Sequence, residues 1–491
     1  MIGRSPRRTT LSAAVALVAA TALAACSSSS TGIASSSTSA PPAASSVSSA
    51  GPATSGPAVA GSTTSSAAIA SPGSSTAGSS PASSPGSSAA PTDNGGATDT
   101  GVTADAIQLG TTQPLTGPAA PGYSKISAAM TAYFNFANES GGINGRKINL
   151  KVLDDGYNPA NTAKLTRQLV LQDNVFALVA GLGTPTQTAI LDFVNQNKVP
   201  QLFVSSGSRS WNQPQKYPDT FGWQVDYTRE GKVLGDYIKK NFAGKKVCSF
   251  GQNDDFGTDG VQGVELTLGA GSVANKQTYS PTNTNVGPQI GALQAAKCDI
   301  VVSFTVPGFT ALALGTAAQL QFRPQWVVSN VGADIPTLTG FLKANTVPLL
   351  EGVVSDDYVP LSTNSSNSWI KLFEMVNKKY NNNAPFDGNV VYGMGIAYTT
   401  LQALQKAGPK LTRQNLIDAL QKGGLSGPGL MPFAYSSDDH SGYTGTQIDV
   451  VKKGVAIPTG PVYTTDDSNG PLTEYTTAQP DAPANGLPAM G

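Results

Sequence analysis

The sequence is poor in the residues that carry most protein chemistry. Its 491 residues include one histidine and three cysteines, and only 13 % are Asp, Glu, Lys or Arg. A zinc centre needs three or four His, Cys or carboxylate ligands, and a nucleophilic triad needs a base beside its nucleophile. The single histidine, His440, sits in the polar run Ser436 to Gly442 and is expected on an exposed loop. There is no Gly-x-Ser-x-Gly elbow and no phosphate-cradling Gly-x-x-x-x-Gly-Lys-Ser/Thr pattern. Asp254-Asp255 and Asp356-Asp357 are paired acids, but neighbours in extended chain point to opposite faces, so solvation or helix capping is expected of them. No catalytic residue, metal or cofactor is expected, and the chain is not read as an enzyme.

Positive charge is not in surplus either. Of 31 basic and 31 acidic residues, Arg4, Arg7 and Arg8 precede Cys26 and no acidic residue does, which leaves 28 against 31, a net of −3. Phosphate binding relies on Lys and Arg gathered on one face, so nucleic acid is not an expected partner. The N-terminal apolar run, Leu11 to Leu23, has 13 residues, short of the roughly 20 that span a bilayer as a helix.

That run carries a different signal. A basic start, a short apolar core and small residues make an export signal. Leu23-Ala24-Ala25-Cys26 resembles the bacterial lipobox, which implies cleavage before Cys26, acylation of that cysteine, and a lipid anchor on the outer face of the cytoplasmic membrane. Arg7-Arg8 also resembles a twin-arginine signal, although Thr9-Thr10 replaces the expected aromatic. Gly 53 and Pro 34 make about 18 % of the chain against an average near 12 %, and much of the excess lies between Ser27 and Thr100. That stretch is almost wholly Ser, Ala, Gly, Pro and Thr, with Asp93 and Asp99 as its only charges. A flexible coil of its 74 residues reaches roughly 45–50 Å. Residues 1–25 are thus a signal peptide and 26–100 a lipidated cysteine with a disordered stalk.

The rest exceeds the roughly 250–300 residues at which one hydrophobic core stops growing. Short apolar runs alternate with amphipathic patterns, predicting an α/β fold with mostly parallel strands. Strands are expected at 107–111, 148–153, 175–180 and 200–204, then at 246–250, 300–304 and 326–328, with one more at 447–451. Ile126, Ala129, Met130, Tyr133, Phe134 and Ala137 mark one face of a helix that ends at Gly141-Gly142. Further helices are expected after Asn158-Pro159 and through Ile190, Val233, Leu312, Trp369, 390–406 and 415–421. Two doubly wound lobes joined by a crossover hinge follow: 101–226 with about 357–428, and 227–356 with about 429–460, ending in a flexible tail, 461–491. Hinges are expected near 225–227 and 352–358.

In open α/β sheets ligands bind beyond the carboxyl ends of the strands. Three such loops share a character: Thr112 to Gly117, Gly181 to Thr184, and Ser205 to Ser208. Their hydroxyls and amides at helix starts offer donors to an anion. Cys248 and Cys298 lie near the starts of two expected parallel strands of one lobe. If those strands are neighbours, export favours a disulfide between them; the alternative is two buried thiols.

The order and spacing of several blocks resemble periplasmic binding proteins of the branched-chain amino acid type. These are Ile107 to Pro118, Ala137 to Arg146 with its Gly141-Gly142-Ile143-Asn144-Gly145-Arg146 core, Leu153-Asp154-Asp155, Gly181 to Thr184, Gln252 to Gly257 and Ala295 to Val302. The resemblance covers about 104–455. It implies a type I periplasmic binding fold whose lobes close on a small solute and deliver it to an ABC transporter permease, acting as a monomer and touching the membrane through its anchor alone. On the matching positions, Gly183, Thr184, Ser206, Gly207 and Ser208 would hold a carboxylate, with Tyr123 covering the ligand and the phenyl rings of Phe256 and Phe309 closing from the second lobe. An acid for a ligand ammonium is expected just after Val328, where this chain has Asn330 and, further on, Asp334. A buried ammonium without a counter-charge is costly, so an amino-acid-like, carboxylate or amide solute is expected. The alternatives are a surface receptor that senses a ligand without transport and, less favoured, a lipid-anchored hydrolase.

Overall fold

The computed structural model describes residues 93–489. The signal segment 1–25, the lipidation site Cys26 and the stalk as far as residue 92 lie outside the described residues. No helix among the described residues is long and apolar enough to cross a membrane.

Two sheets organise the chain. The first contains β1 (Ala106–Gln113), β2 (Lys147–Asp154), β3 (Ala177–Val179), β4 (Gln201–Val204) and β5 (Thr220–Gly222), all parallel in the order β2-β1-β3-β4-β5. The second contains β6 (Val247–Gln252), β7 (Val273–Tyr279), β8 (Ile300–Phe304), β9 (Gln325–Val328), β10 (Val354–Asp357), β11 (Gly445–Lys452), β12 (Val455–Thr464) and β13 (Thr473–Glu474). Its order is β13-β12-β11-β10-β9-β8-β6-β7, parallel from β6 to β10 and antiparallel from β11 onward. Apolar strands with helical connections force this arrangement, because a parallel sheet must be covered on both faces.

Local signals explain the helices. Ile126–Glu139 buries Ile126, Ala129, Met130, Tyr133, Phe134 and Ala137, the stripe visible in the sequence. Pro159–Leu171 starts where Asn158 accepts from the amides of Ala160 and Asn161, which satisfies two donors that the first turn leaves free. Helices Ser368–Tyr380 and Gly388–Ala407 return to pack on Ile126–Glu139 and complete the first lobe. The chain crosses between lobes three times, around 223–226, 358–360 and 432–444. The first two fall at or beside the expected hinges; the third was not anticipated.

Four expectations are corrected. The stalk does not extend to residue 100, because residues 94–99 pack on the first lobe. The Arg146 guanidinium, 1 % exposed, donates to the carbonyls of Asn94, Gly96, Thr103 and Pro409, while Asp99 accepts from the Arg413 amide. The Gly-Gly-Ile-Asn-Gly-Arg block is therefore a structural turn; a Cβ on Gly142 would stand 2.0 Å from the Arg146 carbonyl oxygen. The 461–491 tail is also anchored. Tyr133 donates to the Gly486 carbonyl at 2.7 Å, and the Trp369 indole to that of Pro480 at 2.7 Å.

His440 is buried rather than exposed. Its ring stacks on Phe221 with centroids 3.7 Å apart, and Nδ1 lies 2.9 Å from the Thr220 carbonyl oxygen. Burial pushes the imidazole down from its ordinary value, so it is neutral at pH 7. The acids Asp356 and Asp357 are also not a solvated pair: Asp356 is fully buried on β10. Cys248 and Cys298 form a disulfide, because β6 and β8 are direct neighbours in register, Cys248 opposite Val301.

Candidate functional site

The two lobes bound a cavity of about 500 Å³ between them. They touch around it: Tyr123 donates to the Val331 carbonyl at 2.7 Å, Gln252 to the Tyr157 hydroxyl at 3.2 Å, and Ser208 to Asp255 at 3.0 Å. These contacts describe a closed arrangement.

Five of the nine ligand-contact candidates line the cavity: Tyr123, Gly183, Thr184, Phe256 and Asn330. Gly183 has a φ of 105°, and a Cβ there would stand 2.5 Å from the Tyr157 ring. Glycine thus meets two needs at once, the backbone conformation and the close approach of the aromatic. The helix beginning at Thr184 has only five residues, so the donors of this loop come from individual groups rather than from a long helix dipole.

The other four candidates do not line it. Ser206 lies behind Thr184, their hydroxyls 2.7 Å apart, and accepts from Tyr227 at 3.4 Å. Gly207 is pressed against the Val225 carbonyl and the Tyr227 ring. Ser208 caps the turn Arg209–Trp211 and bonds Asp255, so it locks the lobes together. Phe309 stacks on Tyr279 at 4.0 Å inside the second lobe. The loop Thr112 to Gly117 is absent from the wall too, because Asp154 accepts from the amides of Leu115 and Thr116 and from the Thr116 hydroxyl. Two tyrosine hydroxyls also reach the cavity, those of Tyr157 and Tyr227. Burial pushes both phenols above their ordinary value, so both remain protonated.

The acid question resolves differently from the sequence expectation. Asp334 lines the cavity, but its carboxylate accepts from the Thr337 amide and hydroxyl and from the Gly388 amide. It caps one helix and ties it to another. The Asn330 amide group is also engaged, its Nδ2 donating to Glu230 at 2.7 Å and to Asp356 at 3.1 Å. Burial first, and then the Asp356 charge, hold Glu230 well above the usual carboxylate range; burial pushes Asp356 up to about 6.

Among the wall residues not anticipated as contacts are Gln224, Ser355, Asp357 and Asp449. Asp449 had a signal, a lone acid set within the apolar run Ile448 to Val451. Ser355 and Gln224 had none.

A family model described as periplasmic binding protein matches residues 106–454. The Leu/Ile/Val-binding protein homolog 3 of Brucella melitensis is 22 % identical over 198 residues, 40 % of this chain and 53 % of that protein. The chain thus spans about half the length of this curated relative. Solved structures share the fold, among them the following two. The fatty acid ABC transporter substrate-binding protein of Thermomonospora curvata superposes with a TM-score of 0.66 at 22 % identity, covering 79 % of this chain and 98 % of that one. The branched-chain amino acid ABC transporter protein of Thermus thermophilus with bound valine gives 0.66 at 19 % identity, covering 74 % and 97 %. With most of its folded part matched, the chain belongs to the periplasmic binding proteins, a family of extracytoplasmic solute binders that are not enzymes.

Proposed function

We propose that this protein captures an organic solute in the cavity between its lobes and delivers it to an ABC import permease. The observation that carries this reading is the cavity itself, built from both lobes of one chain, which lets a monomer do the work. Its volume lies within the range of sites that hold ligands of about drug size, and its wall is mostly apolar, with Ile126, Leu182, Val306, Val331, Ile335 and Val359 among its residues. This favours a solute with a larger apolar body than that of a single small amino acid. Gly183, Thr184, Tyr157 and Tyr227 offer polar groups at the first-lobe end.

Closure follows from differential affinity, since a solute that touches both lobes stabilises the closed arrangement over the open one. The hinge lies at the three crossings. Acylation of Cys26 would hold the binder near the permease, with the following stalk as a tether; release of a Cys26→Ser variant into the medium would support the anchor, and retention in the membrane fraction would count against it. Calorimetric titration with a metabolite panel tests capture. One-to-one binding that weakens at least tenfold in Thr184→Ala is expected, and binding indifferent to that change would place the solute elsewhere. Loss of uptake of the bound compound on deletion of the chain tests delivery; undiminished uptake would contradict it.

A further inference from the structure

The end of the cavity formed by the crossing strands differs chemically from the Gly183–Thr184 end. In the β10–β11 ladder Ser355 is directly opposite Asp449, and Asp357 lies two residues along from Ser355. Side chains alternate across a strand, so Ser355, Asp357 and Asp449 share one face, turned to the cavity they line. Asp356 also reaches the cavity wall, but its side chain belongs to the opposite face, where Asn330 and Thr446 donate to its carboxylate.

Asp449 is 1 % exposed and Ser355 4 %. With both carboxyls ionised, neither oxygen of Asp449 has a donor within the protein, only the Asp357 carboxyl beside it, and the Ser355 hydroxyl has no partner. Buried polar groups are nearly always satisfied, and a buried carboxylate is costly without a counter-charge. No Lys, Arg or His lines the cavity to provide one. Nor, among the described residues, is there a group of three or more His, Cys, Asp or Glu that could hold a metal ion. What the face lacks is a polyvalent hydrogen-bond donor carrying positive charge, small enough at its tip to reach two carboxyls and a hydroxyl. A primary ammonium has three such donors.

We propose that Ser355, Asp357 and Asp449 form an ammonium subsite, so that the captured solute is an amphiphilic amine whose apolar body lies along the cavity. This inference rests on the capture reading and narrows it to a ligand class. Burial, followed by the charge of Asp449, holds the Asp357 carboxyl well above the usual range, and burial raises Asp449 as well. An empty subsite therefore retains a proton that a cation makes unnecessary.

The test is a set of primary alkylamines of three to eight carbons, each paired with the carboxylate of the same chain length, titrated calorimetrically into the full chain. Amines are expected to bind, carboxylates of equal length to bind at least tenfold more weakly, and Asp449→Asn to weaken the amines at least tenfold. Circular dichroism checks that this variant folds, and Ser355→Ala, which removes no charge, should weaken amines by a smaller factor. Carboxylates that bind as well as amines, amines that bind Asp449→Asn unchanged, or no amine binding at all would overturn the inference. Carboxylate binding sensitive to Thr184→Ala would overturn it while leaving solute capture standing; absence of any ligand from both this set and the metabolite panel would remove both.

Discussion

The two walls of the cavity solve the problem of buried polarity in opposite ways. On the first-lobe wall every distinctive hydroxyl has a neighbour: Thr184 meets Ser206, and Ser206 accepts from Tyr227. On the strand wall Ser355 has no protein partner and Asp449 has only the like-charged carboxyl of Asp357. A satisfied wall is rigid and ready before a ligand arrives, whereas an unsatisfied wall places its binding energy in contacts that only a ligand can complete. The lobes also differ in how they are held. The second has a covalent cross-link between β6 and β8, while the first depends on packing and on buried hydrogen bonds such as those of Arg146.

Breaking the cross-link should have the largest effect. It closes a loop of 50 residues, and its loss is expected to lower stability by about 4 kcal/mol on a chain-entropy account. Chemical denaturation of the Cys248→Ala, Cys298→Ala double variant checks this; a change below about 1 kcal/mol would mean that the second lobe is held by packing alone. On the other wall, Gly183→Val combines backbone strain with a collision against Tyr157 and is expected to cost about 2–4 kcal/mol. A neutral result would show that the first-lobe wall is not rigid.

A smaller effect depends on pH. Asp356 and Asp259 are pushed up to about 6, chiefly by burial, whereas in unfolded chain such carboxyls titrate near 4. Between those values the folded state binds more protons, so stability falls as pH rises from about 4 to about 6. His440, which burial holds down, acts in the opposite direction over pH 5 to 7, so the share of the acids is read by difference: Asp356→Asn should lower the stability at pH 5 relative to that at pH 7 by about 1 kcal/mol compared with the unaltered chain. An Asp356→Asn variant whose pH dependence matches that of the unaltered chain would contradict a raised Asp356 carboxyl.

Much of the fold was legible because its strands are apolar and its helices striped. The expected strand at 300–304 coincides with β8, and the helix at 390–406 with Gly388–Ala407 to within two residues at its start. The misses have physical causes. In β7 exposed or half-exposed positions such as Ala274, Lys276 and Thr278 alternate with few apolar ones, and β12 contains Pro458 and Gly460, which read as turn residues. His440 looked solvated because its sequence neighbours are polar; its burial comes from Phe221, far away in sequence.

The candidate site was less legible for the same reason. Position in a loop after a strand found Gly183 and Thr184, but it does not distinguish a residue facing the cavity from one behind it, as Ser206 and Ser208 show. The acids on the crossing strands escaped because their meeting depends on the antiparallel pairing of β10 with β11, segments separated by nearly a hundred residues.

Closure of two lobes around a solute is the claim on which the rest depends, and small-angle X-ray scattering of the ligand-free and ligand-saturated protein tests it most directly. A smaller radius of gyration at saturation, returning to its starting value when the ligand is removed, is the predicted result. An unchanged radius at a concentration where calorimetry shows full occupancy would contradict it.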